Sequence, residues 1–192
     1  MTSDEERRLR LYEELLLKWS AKVNLVGPDA RSRLWEHIEE ALEAARILDP
    51  SGEVLDVGSG GGLPAIPMAI VAPSARFHLV EADQKKWAFL KFAVRECALN
   101  SVVHGDRLDR VAQQLDPHLE FSLVTSRAVG HVEEWLPAIV PTIAKGGRVA
   151  LFEGVVEPPH IEGLELKERH RLPRGDANYL TVLERFHVEH HG

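Results

Sequence analysis

Apolar residues recur with two different periods along this chain, and the change of period divides it. From Glu5 to about Ser20, the residues Leu9, Tyr12, Leu15, Leu16 and Trp19 are spaced by three and four, which predicts an amphipathic helix. A second helix is predicted from about Ala30 to Leu48, with Leu34, Ile38, Leu42, Ala45 and Leu48 on one face, and Asp49, Pro50, Ser51 and Gly52 break it. Residues 1–50 therefore read as a helical extension, set before a unit of residues 51–192. From residue 53 onward, short apolar runs alternate with helical stretches, the rhythm of repeated βαβ units. Strands are predicted at Glu53–Val57, Arg76–Val80, Ser101–His104, Phe121–Thr125 and Gly147–Phe152. Helices are predicted at about Pro64–Val71, Gln84–Leu99, Arg107–Leu115 and Val132–Ile143. Arg169–Leu172 and Tyr179–Arg185, separated by the turn formers Pro173, Arg174, Gly175 and Asp176, predict a closing antiparallel pair. The expected fold class is α/β, a doubly wound and mostly parallel sheet.

Composition narrows this picture without changing it. A chain of 192 residues with 44% hydrophobic and 28% charged residues is an ordinary globular mix, long enough to bury a core. No stretch approaches the roughly 20 apolar residues that span a bilayer, and the start MTSDEERRLR is charged, so a cytoplasmic protein with no membrane partner is expected. Cys97 stands alone, which excludes an internal disulfide and a cysteine-based metal cluster. A net charge of −7 argues against a general nucleic-acid binder, yet basic residues cluster at Arg7, Arg8, Arg10, Lys18 and Lys22, and again at Lys85, Lys86, Lys91 and Arg95. Each cluster, taken alone, reads more simply as a solvated helix face.

The candidate chemistry centres on VLDVGSGGGLPAIP, residues Val54 to Pro67. A buried strand runs into Gly58, Ser59, Gly60, Gly61 and Gly62, where backbone can turn tightly and touch a ligand without an intervening Cβ, and Pro64 suits the first turn of the next helix. A nicotinamide dinucleotide fingerprint needs a third glycine at position 63, which is Leu63. Asp56, just before the loop, is unwelcome beside a pyrophosphate but suits the cationic amino group of a methionine moiety. Glu81 ends the second predicted strand, 21 positions after Gly60, where a carboxylate can accept both hydroxyls of an adenosine ribose. Together these residues point to S-adenosylmethionine (SAM) as ligand. Asp106 or Asp109, after the third strand, would lie near the adenine.

Five blocks carry a resemblance along nearly the whole chain: LLLKWSAKVNLVG (Leu15 to Gly27), RLWEHI (Arg33 to Ile38), VLDVGSGGGLPAIPMAI (Val54 to Ile70), LVEADQKKWAFL (Leu79 to Leu90) and VTSRAV (Val124 to Val129). In these the chain resembles the RsmG (GidB) family, bacterial methyltransferases acting on guanine N7 in 16S ribosomal RNA. The resemblance implies a class I SAM-dependent methyltransferase fold, a mostly parallel seven-stranded sheet with an N-terminal helical extension. It implies a cofactor site on Asp56, Gly58, Ser59, Gly60 and Glu81, with Arg107, Leu108 and Asp109 near the adenine. It places Asn24, Arg127, Lys85 and Lys86 on the RNA side, with Arg127 holding a phosphate bidentately or, alternatively, forming a structural ion pair. The expected partner is 16S rRNA or the small ribosomal subunit, and the expected state is a monomer.

The sequence departs from the family pattern in two places. HI-x-DSL reads HIEEAL, putting Glu40 and Ala41 where the pattern has Asp and Ser, and the expected Lys-Gly pair after the fifth strand is Glu153 and Gly154. A carboxylate in place of that lysine weakens the case that this edge grips RNA.

Guanine N7 offers a lone pair and no proton, so the transfer needs alignment rather than a catalytic base, and no catalytic side chain or metal is expected. The base must leave any stack it occupies, which favours an unpaired loop as substrate. Trp19 and Trp35 sit at core-like helical positions and read as packing rather than stacking platforms, and His187, His190 and His191 read as a frayed tail. Two other readings stay open on the same cofactor site: methylation of a small molecule or protein, and a regulatory protein that holds SAM without chemistry.

Overall fold

Six residues starting at Gly52 alternate in the sense that builds a two-sided sheet: Val54 faces one apolar layer, Leu55 and Val57 the other. A computed structural model of the chain describes residues 1–127, 129–153, 157–172 and 179–186. The strands are β1 (Gly52–Val57), β2 (Ala75–Val80), β3 (Ser101–His104), β4 (Phe121–Arg127), β5 (Ile143–Glu153), β6 (Leu164–Arg171) and β7 (Tyr179–Arg185). They form one seven-stranded sheet in the order β3-β2-β1-β4-β5-β7-β6. Neighbours are parallel from β3 through β5, whereas β7 runs antiparallel to both β5 and β6. The order reverses between β1 and β4, and it is outside the carboxyl ends of such strands that a doubly wound sheet opens a crevice.

Helices cover both faces. On one lie α1 (Ser3–Ser20), α3 (Leu34–Leu48), α4 (Ala65–Val71) and α5 (Gln84–Glu96); the other carries α6 (Leu108–Gln114) and α7 (Val132–Ile139). The N-terminal helices share a core with the sheet, because Leu9, Tyr12, Leu16 and Ile38 are fully buried in the same cluster as Ile66, Phe77 and Phe89. Trp19 packs its ring 5.6 Å from that of Phe89 and 5.7 Å from that of Phe92, and Arg10 lies over the Trp35 ring. Among the described residues no helix is long and apolar enough to cross a membrane.

The elements depart from the expected ones where backbone chemistry overrides periodicity. The helix predicted over Ala30–Leu48 is two: α2 (Pro28–Ser32), which buries nothing, and α3, separated by Arg33 at φ −120° and ψ 25°. Arg31 turns back to donate to the carbonyls of Ser20, at 2.5 Å, and Val26, at 3.2 Å, so α2 serves the preceding loop rather than the core. Helix α5 stops at Glu96, short of Leu99, because Ala98 takes a left-handed conformation at φ 49°. Helix α7 ends at Ile139, and a 3-10 turn over Val140–Thr142 carries Pro141, which has no N–H to continue an α-helix. β5 begins four residues before the predicted Gly147, and β6 starts at Leu164 rather than Arg169. β6 is an edge strand whose residues are nearly all exposed, so no apolar alternation marks it. The turn predicted at Pro173 to Asp176, the Ala177–Asn178 pair and the His187, His190 and His191 tail lie outside the described residues.

Because α1 and the sheet share one core, Leu16→Ala is expected to cost about 2–5 kcal/mol and to leave a single unfolding transition. Urea titration followed by far-UV circular dichroism checks this. An early, separate helical transition would show that the first 50 residues fold apart from the sheet.

Candidate active site

The loop after β1 is shaped by what cannot be added to it. Gly58, Gly60 and Gly62 have φ of 69°, 54° and 89°, a region that disfavours residues with a Cβ. A Cβ on Gly58 would overlap Val129 Cγ2, and one on Gly62 would come within 2.5 Å of Ile66 Cδ1. The loop is held from both sides. Glu81, at the end of β2, accepts from the Gly60 amide at 2.9 Å and from the Asp83 amide at 2.8 Å. From below, the buried Tyr12 hydroxyl of α1 donates to the Gly61 carbonyl at 2.7 Å. Ser59 is buried, its amide bonded to Val80 O and its hydroxyl to Asp56 O.

Asp56 lies beneath this loop, 1% exposed, with Oδ1 accepting from the Thr125 hydroxyl at 2.6 Å. Its Oδ2 is buried and has no hydrogen-bond partner among the described residues. Burial pushes the carboxyl up to about 7, against the bond from Thr125 and the nearby Ser59 hydroxyl, which lower it, while the charge of Glu81 adds to the rise.

Two clefts open at the carboxyl edge of the sheet. One, of about 520 Å³, is lined by Gly58, Glu81, Arg107, Leu108 and Asp109 with Trp135. Arg107 Nε pairs with Asp109 at 3.2 Å in its wall. The second, also about 520 Å³, has Arg127, Glu40, Phe152 and Glu153 in its walls. Val129, Gly130 and His131 line both, so a single loop divides them.

Arg127 ends β4 in a buried ion pair. Its Nη2 is 2.9 Å from Glu40 Oε2, and Glu40 is 1% exposed. The same Nη2 is 2.8 Å from His37 Nδ1; a guanidinium can only donate, so that histidine nitrogen accepts. Nη1 is buried with no hydrogen-bond partner among the described residues.

The structure thus brings together Gly58, Glu81, Arg107, Leu108 and Asp109 in one cleft and puts Arg127 in the next. Asp56 and Ser59 are buried and line neither cleft, and Gly60 is tied to the cleft through its amide bond to Glu81. Asn24 is exposed and lines neither cleft, although Leu25 beside it abuts Gly61; Lys85 and Lys86 open α5, their amides capped by Asp83. The loop at 129–131 and α7 were not foreseen as walls, and only the block ending at Val129 hinted at them.

Residues 5–174 match the GidB family model, described as rRNA small subunit methyltransferase G. The chain belongs to the GidB family. The ribosomal RNA small subunit methyltransferase G of Paramagnetospirillum magneticum is 35% identical to this GidB-family chain over 150 residues, covering 77% of this chain and 70% of that one. Among solved structures, a mutant of MtNAS in complex with S-adenosylmethionine aligns with a TM-score of 0.64 at 14% identity, over 95% of this chain and 76% of that one. A putative methyltransferase, yhhF, from Escherichia coli aligns with a TM-score of 0.62 at 15% identity, over 85% and 89%. These likenesses show the fold, that of the class I SAM-dependent methyltransferases.

For the GidB-family chain the buried carboxyl of Asp56 has a thermodynamic consequence. Its pKa is raised from an unfolded value near 4 to about 7 in the folded chain, so the stability it contributes is full below pH 4 and is lost as pH climbs through 7. Asp56→Asn removes that loss. Relative to wild type, the variant is expected to gain on the order of a few kcal/mol between pH 4.5 and pH 8, read as the difference in urea stability. Equal pH slopes for the two proteins would show that Asp56 is ionised in the folded state.

Proposed function

We propose that this chain transfers a methyl group from SAM to N7 of a guanine in a loop of 16S ribosomal RNA. The observation that carries the reading is the pair of clefts divided by one loop: the first holds the residues suited to a nucleoside, the second the unpartnered end of a buried arginine.

The residues present fit the cofactor. Asp56 Oδ2 is a buried acceptor in want of a donor, as a cationic amino group would be, and the left-handed glycines let backbone close on a ligand. Glu81 uses two of its roughly four acceptor positions on Gly60 and Asp83, which leaves others for ribose hydroxyls. Arg107, Leu108 and Asp109 form the far wall, where an adenine would lie. SAM, when bound, supplies an electrophilic methyl group. What the chain contributes is alignment, since guanine N7 has no proton to remove and the gain comes from holding the reacting atoms in line. Asn24, Lys85 and Lys86 are assigned to the surrounding RNA; in support, the two lysines stand at the solvent-facing start of α5, where their charge is open to phosphate. The chain is taken to act as a monomer in the cytoplasm on the small ribosomal subunit or its RNA.

Incubation with methyl-labelled SAM and small subunits, or their naked RNA, from cells lacking the activity is expected to yield 7-methylguanosine in 16S RNA. Its absence from both substrates would sink the reading. Glu81→Ala is expected to weaken SAM binding by at least about tenfold, given that charge-assisted hydrogen bonds contribute roughly 1.5–3 kcal/mol. Calorimetry measures this, and an unchanged affinity would remove Glu81 from the cofactor site.

A further inference from the structure

Gly105 is glycine for a reason that its own backbone does not supply. Unlike Gly58, Gly60 and Gly62 it does not take a left-handed φ, so the conformation itself would admit another residue. What forbids one is Trp87 of α5. A Cβ on Gly105 would stand 2.8 Å from Trp87 Nε1 and 2.9 Å from both Cδ1 and Cε2. Nearly equal distances to three atoms of the five-membered ring put that point over its face, so the Gly105 backbone lies against the indole. The ring is itself held: Nε1–H donates to the Val103 carbonyl at 3.4 Å, and Lys91 Nζ lies 4.6 Å from the ring centroid.

The far wall of the first cleft continues from this glycine. Gly105 follows His104, the end of β3, whose carbonyl accepts from the Glu81 amide at 3.0 Å, and it precedes Asp106, Arg107, Leu108 and Asp109, all of which line the cleft. Gln84, the first residue of α5, donates through Nε2 to the Gly105 carbonyl at 3.0 Å. Beyond Gly105, the Asp106 carboxylate accepts from the Arg107 amide at 2.8 Å, where α6 begins. The first turn of α5 thus grips the loop at one residue in two ways, by a hydrogen bond and by a ring face. The same turn is tied to the glycine-rich loop, because Glu81 accepts from both the Asp83 and the Gly60 amides. Neither Gln84 nor Trp87 lines the cleft, so each acts on a ligand there only through the backbone it holds.

We propose that Trp87 and Gln84 are positioning residues for the cofactor: through Gly105 they set the wall of Arg107, Leu108 and Asp109 against which the adenosine of SAM lies. The inference rests on the proposed placement of SAM in this cleft. It gives one turn of α5 two tasks, since Lys85 and Lys86, the lysines assigned to RNA, stand between the two positioning residues.

Gly105→Ala tests it, because the added methyl group must push the loop off the indole. By calorimetry the Kd for SAM is expected to rise by about tenfold or more, a reading that does not depend on the RNA substrate. In methyl transfer to 16S RNA the KM for SAM should rise with it, while kcat at saturating SAM and the KM for RNA stay within about twofold of wild type. A lesion of folding alone would instead lower kcat through the active fraction and leave the KM for SAM unchanged. Dependence on the ring is the second readout. Trp87→Ala removes the support and is expected to weaken SAM binding by itself, yet adding Gly105→Ala to it should cost less than about a further twofold. Should Gly105→Ala not fold, the exposed Gln84 decides: Gln84→Glu sets a carboxylate against the Gly105 carbonyl and is expected to raise the Kd for SAM by about threefold or more. Unchanged SAM affinity in the deciding variant, or a Gly105→Ala loss as large without the ring as with it, overturns the assignment and leaves the cofactor cleft standing. If Glu81→Ala binds SAM as wild type does, the cofactor lies elsewhere and this inference falls with its placement.

Discussion

Everything at the carboxyl edge of the sheet depends on how five residues of backbone, Gly58 to Gly62, are held in a conformation that little else would tolerate. Left-handed glycines have the largest conformational freedom to lose, so a loop built from them stays in place only when bonded from outside. Two elements distant in sequence do this: Glu81 fixes the Gly60 amide and Tyr12 the Gly61 carbonyl. The carboxylate therefore has a structural task in the ligand-free chain as well as its proposed one toward ribose. A charged acceptor serves both because it has lone pairs to spare, which a neutral amide or hydroxyl in its place would not.

The same economy governs the charges below and beside the loop. Asp56 is buried where an ionised carboxylate is costly, and the Thr125 bond offsets only part of that cost. Arg127, in contrast, meets an opposite charge, Glu40, in a buried ion pair. Of the two acidic residues noted as departures from the pattern that the chain resembles, Glu40 pairs with this arginine and Glu153 lines the same cleft. A guanidinium tied in this way is a poor bidentate clamp for phosphate but a well-oriented single donor.

Much of this was legible in the residues. The βαβ rhythm, the boundaries of β3 and β7 and the meeting of Gly58, Glu81 and Asp109 follow from local patterning and spacing, because a parallel sheet brings successive strand ends to one edge. What could not be read arises from contacts between distant segments. Nothing near Glu40 in the sequence says that it meets Arg127, nor does the amphipathic pattern of α1 reveal that Tyr12 reaches a glycine carbonyl 49 positions away. The division of α2 from α3 was hidden for a related reason: Arg31 is drawn to the carbonyls of the preceding loop, and that pull leaves no trace in hydrophobic periodicity. β6, exposed along an edge, has no buried face to write a pattern.

The bond between Tyr12 and Gly61 also bears on how the chain comes off the ribosome. α1 is synthesised before the sheet, yet α4 and α5, which complete the burial of its apolar face beside α3, lie beyond β1, so that face lacks its full set of partners until those residues have emerged. For that interval the nascent chain must carry an exposed hydrophobic stripe. The acidic first turn of α1 and the Arg8–Asp4 and Arg10–Glu13 pairs along its flanks surround that stripe with charge, which keeps such a segment in solution while it waits.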